Sequence, residues 1–272
     1  MTAQIWLARA SATPRRTQQW WVLTIRMIVP ALQSGELLTS ILAPAAFTAS
    51  FYIPLKTIMS FTGTGFSSYA QFMMPLVILQ ASAFTAVSAA FRAASDAVAG
   101  LNRRFGSMPI GPLIPASARL CGNLFRLSIA LAAALVCGYV IGFRFYLGTA
   151  RTVEFLLFSI LIGMALILGA DVIGTVSRSP ETTAQALVLP PLIFGMLSTG
   201  LAPATQFPSW VQPFVRNQPV SQWASGLRAL AGDRWPHGDP VSIPMMTPPI
   251  VWAAAILVFC LGFSIRLGKG RA

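Results

Sequence analysis

The chain has 272 residues, 55% of them hydrophobic and 10% charged, with a formal net charge of +12. Soluble domains carry roughly 25% charged residues, so too little charge is present to coat a globule in water, and the composition indicates an integral membrane protein built as one structural unit. Nucleic acid is excluded as the reason for the positive charge, because the basic residues are scattered at the ends of apolar runs and not clustered on one soluble face.

Taken in order, the N-terminal stretch holds Arg9, Arg15 and Arg16 without an apolar core ahead of a small-residue cleavage site, so no cleavable signal is expected. Thr17–Ser34, TQQWWVLTIRMIVPALQS, is too short and too polar to span. Its Trp20 and Trp21 suit the headgroup layer, and it reads as an interfacial helix on the cytoplasmic leaflet. Leu37–Ile58 reads as the first span, kinked at Pro44 and Pro54. Met59–Tyr69 carries no charged residue and reads as an outer loop. Its Gly63 and Gly65 form no phosphate loop, since no Lys-Ser/Thr follows.

Ala70–Phe91 reads as the second span and leads into a basic hinge, Phe91–Pro115. The hinge carries Arg92, Arg103 and Arg104 against one acid, Asp96. Ala93–Leu101 can form a short helix there, while Pro109, Pro112 and Pro115 forbid a long one. Ala116–Gly142 reads as the third span, entered through Arg119, with Arg126 one to two turns inside and able to snorkel to the cytoplasmic headgroups. Phe143–Arg151 is a short outer turn. Thr152–Val176 reads as the fourth span, with Asp171 near its inner end. A carboxylate inside a span is costly, so Asp171 is expected to pair with Arg178 or Arg126 and not to relay protons.

Ser177–Thr183 is an inner loop. Ala184–Pro203, interrupted by Pro190 and Pro191, reads as the fifth span, and Pro248–Leu267 as the sixth. Between them, Ala204–Thr247 reads as two short amphipathic pieces parted by Asn217-Gln218-Pro219, lying at the outer interface or dipping into it. Arg and Lys counts place both termini, the hinge and Arg178 on the cytoplasmic side, against six basic residues (Lys56, Arg144, Arg151, Arg216, Arg228 and Arg234) on outer segments.

Catalytic constellations are missing from the pattern: no HExxH, no GxSxG and no aspartate pair at helical spacing. The only histidine, His237, stands in a Pro-rich loop, and Cys121, Cys137 and Cys260 fall in apolar segments without metal-ligand spacing. No ATP-binding motif is present, so work done by this chain needs energy from another subunit.

Four stretches then carry a resemblance: FRAASDAVAGLNRRFGSMPIGPLIPASAR (91–119), LVCGYVIGFRF (135–145), ADVIGTVSRSP (170–180) and LPPLIFGMLSTGLAPATQFPSWVQPFVRNQPVSQWASGLRALAGD (189–233). The last is the most specific, in its Pro-x-Trp, Asn-Gln-Pro and Leu-Arg-Ala-x-x-Gly order. The chain resembles ABC-2 type permeases of the daunorubicin-resistance exporter branch, most closely the membrane subunits of mycobacterial phthiocerol dimycocerosate lipid exporters. The resemblance covers the chain from about Gln33 onward. It implies an all-α integral membrane protein with six transmembrane helices, an N-terminal interfacial helix and an outer re-entrant segment between spans five and six. Residues 1–36 would form the cytoplasmic N-terminus and residues 37–272 the permease domain.

The resemblance also implies a second permease subunit, a copy or a paralogue, and two ABC ATPase chains that bind the ATP, with no cofactor in this chain. Asp96, Arg103 and Arg104 would sit in the element that docks on the ATPase, where Phe105 and Met108 could fill an apolar cleft. Trp210, Pro213, Asn217 and Arg228 would sit in the outer re-entrant segment. The function implied is export of lipids or lipophilic drugs across or out of the cytoplasmic membrane. Export of a polar glycan, an intramembrane lipid-modifying enzyme built around Asp171, and a passive scaffold for a lipid synthase are the competing readings.

Overall fold

Backbone polar groups in hydrocarbon must be satisfied within their own segment, so long apolar runs of this kind fold as helices. The computed structural model describes residues 15–33, 35–62, 67–108, 110–111, 114–233 and 243–269, and its regular elements are all helical. Helix α1 spans Arg16–Gln33, α2 Glu36–Thr62, α3 Tyr69–Val98, α4 Leu101–Gly106 and α5 Ile114–Ile141. Then come α6 (Gly148–Val176), α7 (Pro180–Met196), a 3-10 turn at Ala204–Gln206, α8 (Gln212–Asn217), α9 (Pro219–Ala231) and α10 (Ile243–Lys269).

Among the described residues five helices are long and apolar enough to cross a membrane: Leu37–Ile58 in α2, all of α3, α5 and α6, and Pro244–Arg266 in α10. The expected span Ala184–Pro203 falls on α7, which has 17 residues and is not one of the five. At 1.5 Å per residue such a helix is about 25 Å long, short of a hydrocarbon core of about 30 Å. Pro190 and Pro191 lie inside it, and the chain leaves the helix at Leu197.

Helix α3 is the axis of the bundle. In its most apolar window 83% of residues are buried, against 17% for α2 and 11% for α10, which face outward. It packs most extensively on α6, then on α7, with α2, α5 and α9 around the remaining sides. Small residues make the α3–α6 approach close: Ala86, Ala89, Ala90 and Ala93 are buried on α3. A Cβ added at Gly174 of α6 would overlap the Ala90 carbonyl oxygen. Without water to drive helix association in lipid, such close van der Waals packing is what holds helices together.

The hinge differs from the expected short helix over Ala93–Leu101. Helix α3 runs unbroken through Phe91 to Val98, because this stretch is rich in alanine and free of glycine and proline. Gly100, at φ +71°, ends it in a conformation that side-chain-bearing residues rarely adopt, and α4 restarts at Leu101. The last helix also starts earlier than the expected Pro248. Its internal Pro248 and Pro249 are braced by Trp223, whose indole N–H donates to the Pro249 carbonyl at 3.0 Å.

Helices α8 and α9 are the two amphipathic pieces, and they meet at Gln218. Helix α9 turns Trp223, Ala224, Leu227 and Leu230 into the groove between α3, α6 and α10. Helix α1 lies against α5, where a Cβ at Gly122 would come within 3.0 Å of the Met27 Cβ. His237 lies outside the described residues.

Candidate functional site

Polar side chains gather at the two ends of α3. Near its C-terminal end, Asp171 of α6 accepts from Arg119 of α5: Nε to Oδ1 at 3.2 Å, and the second guanidinium nitrogen to Oδ2 at 3.3 Å. The expected partners were Arg178 or Arg126. Arg119 wins because it projects from the first turns of α5 straight at the last turns of α6. Arg126 does not snorkel either. It is 5% exposed and donates to the carbonyls of Gly122, at 3.1 Å, and of Met27 in α1, at 2.9 Å, tying α1 to the bundle.

Asp96 and Arg92 face the same group from α3. Both line a small cavity with Arg119, Asn123, Arg126 and Asp171. Arg92 donates to the Asn123 side-chain oxygen at 2.9 Å, and Asp96 lies in the field of Arg119, Asp171 and Arg92. Three elements thus meet here through charge, and the first residues of the hinge are part of the meeting. On the other side of Arg92 and Arg126 opens a cleft of about 320 Å³ between α2, α3 and α7.

The N-terminal end of α3 carries the other network. Arg228 of α9 donates from Nε to the Phe72 carbonyl at 2.9 Å and from a terminal nitrogen to the carbonyls of Thr199 at 2.5 Å and Gly200 at 3.2 Å. Its guanidinium also lies 3.9 Å from the centre of the Phe72 ring. Buried Gln71 donates to the carbonyls of Arg144, at 3.0 Å, and Gly232, at 2.6 Å, and accepts from the Arg144 N–H at 3.2 Å. Asp233 takes the Ser67 N–H at 2.8 Å and its hydroxyl. These bonds fasten α9 and the α5–α6 turn to the start of α3.

The residues singled out for the coupling element do not form one cluster. Asp96 faces inward to Arg119 and Asp171, whereas Arg104 and Met108 are exposed and Phe105 is partly buried. Arg103 lies on α4, and its side chain is outside the described residues. The outer set is divided too: Trp210 is 83% exposed, Pro213 is exposed, and exposed Asn217 donates to the Pro213 carbonyl at 2.9 Å, while Arg228 turns into the protein. Arg119 and Asn123 were not singled out by sequence reasoning. Their spacing with Arg126, at intervals of four and three, marks one helical face and was the available signal. Gln71 and Asp233 had no such signal, because their partners are backbone groups from distant turns.

No protein-family model matches the chain. It is 47% identical over 258 residues to the doxorubicin resistance ABC transporter permease protein DrrB of Mycobacterium tuberculosis, covering 93% of this chain and 89% of that protein. To the probable doxorubicin resistance ABC transporter permease protein DrrC of the same organism it is 30% identical over 202 residues, covering 74% and 70%. A daunorubicin resistance ABC transporter permease protein of Streptomyces coeruleorubidus is 29% identical over 187 residues, 65% of either chain. Identity at this level across nearly the whole length, on a bundle of apolar helices, places the chain among the doxorubicin- and daunorubicin-resistance ABC transporter permeases: it is a multi-pass membrane subunit of an ABC exporter, whose ATP is bound by a partner ATPase.

Proposed function

We propose that this permease exports lipids or lipophilic drugs from the cytoplasmic membrane, paired with a second permease subunit and driven by two ATPase chains that dock on residues 91–115. The drug half of the cargo class comes from the relatives, which are named for doxorubicin and daunorubicin resistance. The observation that carries the mechanism is the continuity of α3. One rod runs from the Arg228 network at Tyr69, through the buried core, to Val98, and one turn later meets α4, where Arg104 is exposed. A displacement delivered at α4 would reach the far network along a stiff element, whereas a flexible loop would absorb it.

In this reading the chain crosses the membrane six times, with both termini and residues 91–115 on the cytoplasmic side. Helix α7 supplies the additional crossing together with the turn after it. Ala184 lies level with Phe91 across the cleft, and the Leu201 carbonyl accepts from the Tyr69 hydroxyl at 3.4 Å. The stretch from Ala184 to Leu201 therefore runs alongside Tyr69–Phe91 of α3, despite the brevity of its helical part.

Changing Arg103 and Phe105 together to Ala tests the docking. Arginine and aromatic anchors are often worth about 2 kcal/mol each. The variant should insert at normal level, capture the ATPase at least about tenfold less well, and lose export. Wild-type capture together with wild-type export would overturn the assignment and send the search for the contact to α1 or Arg178.

A further inference from the structure

We propose that α1 binds anionic phospholipid: its exposed apolar stripe enters the acyl region of the leaflet while Arg15, Arg16 and Arg26 gather lipid phosphates. This selects a lipid class, which a helix merely lying at an interface does not, and it depends neither on the cargo nor on where the ATPase docks.

Three observations converge. The first is that α1 has two apolar sides. Thr24 and Ala31 are buried, and Met27 between them meets Gly122 of α5. At about 3.6 residues per turn, Trp21, Ile25, Val29 and Leu32 fall on the opposite side. They are between 40% and 57% exposed, and Val22 beside them is 63% exposed. A tryptophan and three branched aliphatic side chains repeating every turn form a continuous apolar stripe that needs a cover.

The second is charge. Helix α1 holds Arg16 and Arg26, Arg15 directly precedes it, and no Asp or Glu lies anywhere in it. All three arginines are exposed. Arg26 falls on one flank of the stripe, in line with Gln19 and Gln33 at intervals of seven. The outward surface of α1 thus divides into an apolar face and a cationic edge. Its cover must be apolar at the centre and anionic at the rim. A leaflet holding anionic phospholipid meets both demands, whereas a leaflet of neutral lipid meets only the first. Guanidinium groups suit this role because their forked N–H groups match phosphate oxygens.

The third is position. Arg126 of α5 donates to the Met27 carbonyl at 2.9 Å, and Arg26, next in the chain, acts through its charge on Asp96 of α3. A phosphate gathered at Arg26 therefore adds to the field around Asp96, Arg119 and Asp171. Lipid on α1 and the polar end of α3 are joined electrostatically.

The test uses the full chain with the cysteines at 121, 137 and 260 replaced and a bimane fluorophore on Val22→Cys, reconstituted in phosphatidylcholine nanodiscs without ATPase or nucleotide. Spin-labelled phosphatidylglycerol and spin-labelled phosphatidylcholine, alike in their acyl chains, are added separately, and their quenching is compared. Leu157→Cys on α6 is the reference. It is 62% exposed against 63% for Val22, and its charged neighbours Arg151 and Glu154 pair with each other. The two lipids should quench alike at Leu157. At Val22, phosphatidylglycerol should be preferred at least about fivefold, the worth of one arginine near an anionic surface. The preference should shrink as salt is raised. Arg15→Gln, Arg16→Gln and Arg26→Gln together should abolish it with quenching at Leu157 unchanged, while Arg15→Lys, Arg16→Lys and Arg26→Lys together should keep most of it. Equal quenching by the two lipids at Val22 overturns the proposal, as does a preference that survives the glutamine variant. Quenching by neither lipid would mean that a second copy of the chain covers the stripe, and also overturns it. Loss of the preference on adding inorganic phosphate at constant ionic strength would assign the arginines to a free anion, with the same consequence. None of these outcomes bears on the Arg103/Phe105 test, which reads capture of the ATPase.

Discussion

At the scale of single residues, the question is how charged groups persist inside apolar helices. Asp171 and Arg119 answer it by a two-point contact in which each hides the other from hydrocarbon. Removing one partner strands the other. With the Arg119 side chain 13% exposed, Asp171→Asn should destabilise the protein by about 3 kcal/mol. Arg119→Gln combined with Asp171→Asn should recover most of that loss, since both charges of the pair go together and Asp96 keeps Arg92 beside it. Thermal unfolding of the single and double variants in detergent measures the coupling. The double variant should also keep export in the complete transporter. Loss of export with normal protein level and stability would mean that Asp171 carries protons, against the structural role its contacts give it. The sequence announced that Asp171 needed a partner, because one carboxylate in a long apolar run cannot be left bare. It did not identify Arg119, because pairing across 52 positions depends on how far α5 and α6 slide past each other.

At the scale of elements, the packing of α3 on α6 rests on glycine and alanine, and one atom is enough to test it. Gly174→Ala places a methyl group against the Ala90 backbone, which cannot swing aside as a side chain would. The helices must part, at a cost of about 1–3 kcal/mol. Gly262→Ala on α10 is the control: nothing lies within 4 Å of a Cβ there, and stability should be unchanged or slightly raised. Comparing the two in the same thermal assay separates helix contact from helix propensity. Long helices were legible from apolar length, and the break at Gln218 from the Asn-Gln-Pro sequence. Helix α3 extends beyond the span read from sequence because polarity alone does not end a helix, whereas glycine or proline does. Polar Arg92 and Asp96 continue the helix and find each other's neighbours across it.

At the scale of the whole molecule, the proposed orientation rests on the distribution of Arg and Lys, and its test is accessibility. With the cysteines at 121, 137 and 260 replaced, Gly238→Cys should react with an impermeant maleimide in intact cells and Gly106→Cys only after lysis. Labelling of position 106 in intact cells would invert the arrangement. An inverted chain would place α4 away from any cytoplasmic ATPase, so this experiment also bears on the coupling assignment. The two polar networks sit at opposite ends of the same helix, one built on ion pairs and the other on side chains that bond backbone carbonyls.

The sequence by itself determined that the chain lives in a membrane, that five of its six expected runs are helices long enough to cross it, and which family it belongs to. Composition, apolar length and local order carry that information, and none of them depends on how distant segments meet. Only the tertiary structure decided that α3 is the axis, that Asp96 joins Arg119 and Asp171, that Arg126 turns inward to Met27, and that α7 is helical over only 17 residues. Those outcomes depend on register between helices. In hydrocarbon that register is set by where glycine and alanine let backbones touch, and a one-dimensional pattern does not say which glycine faces which helix.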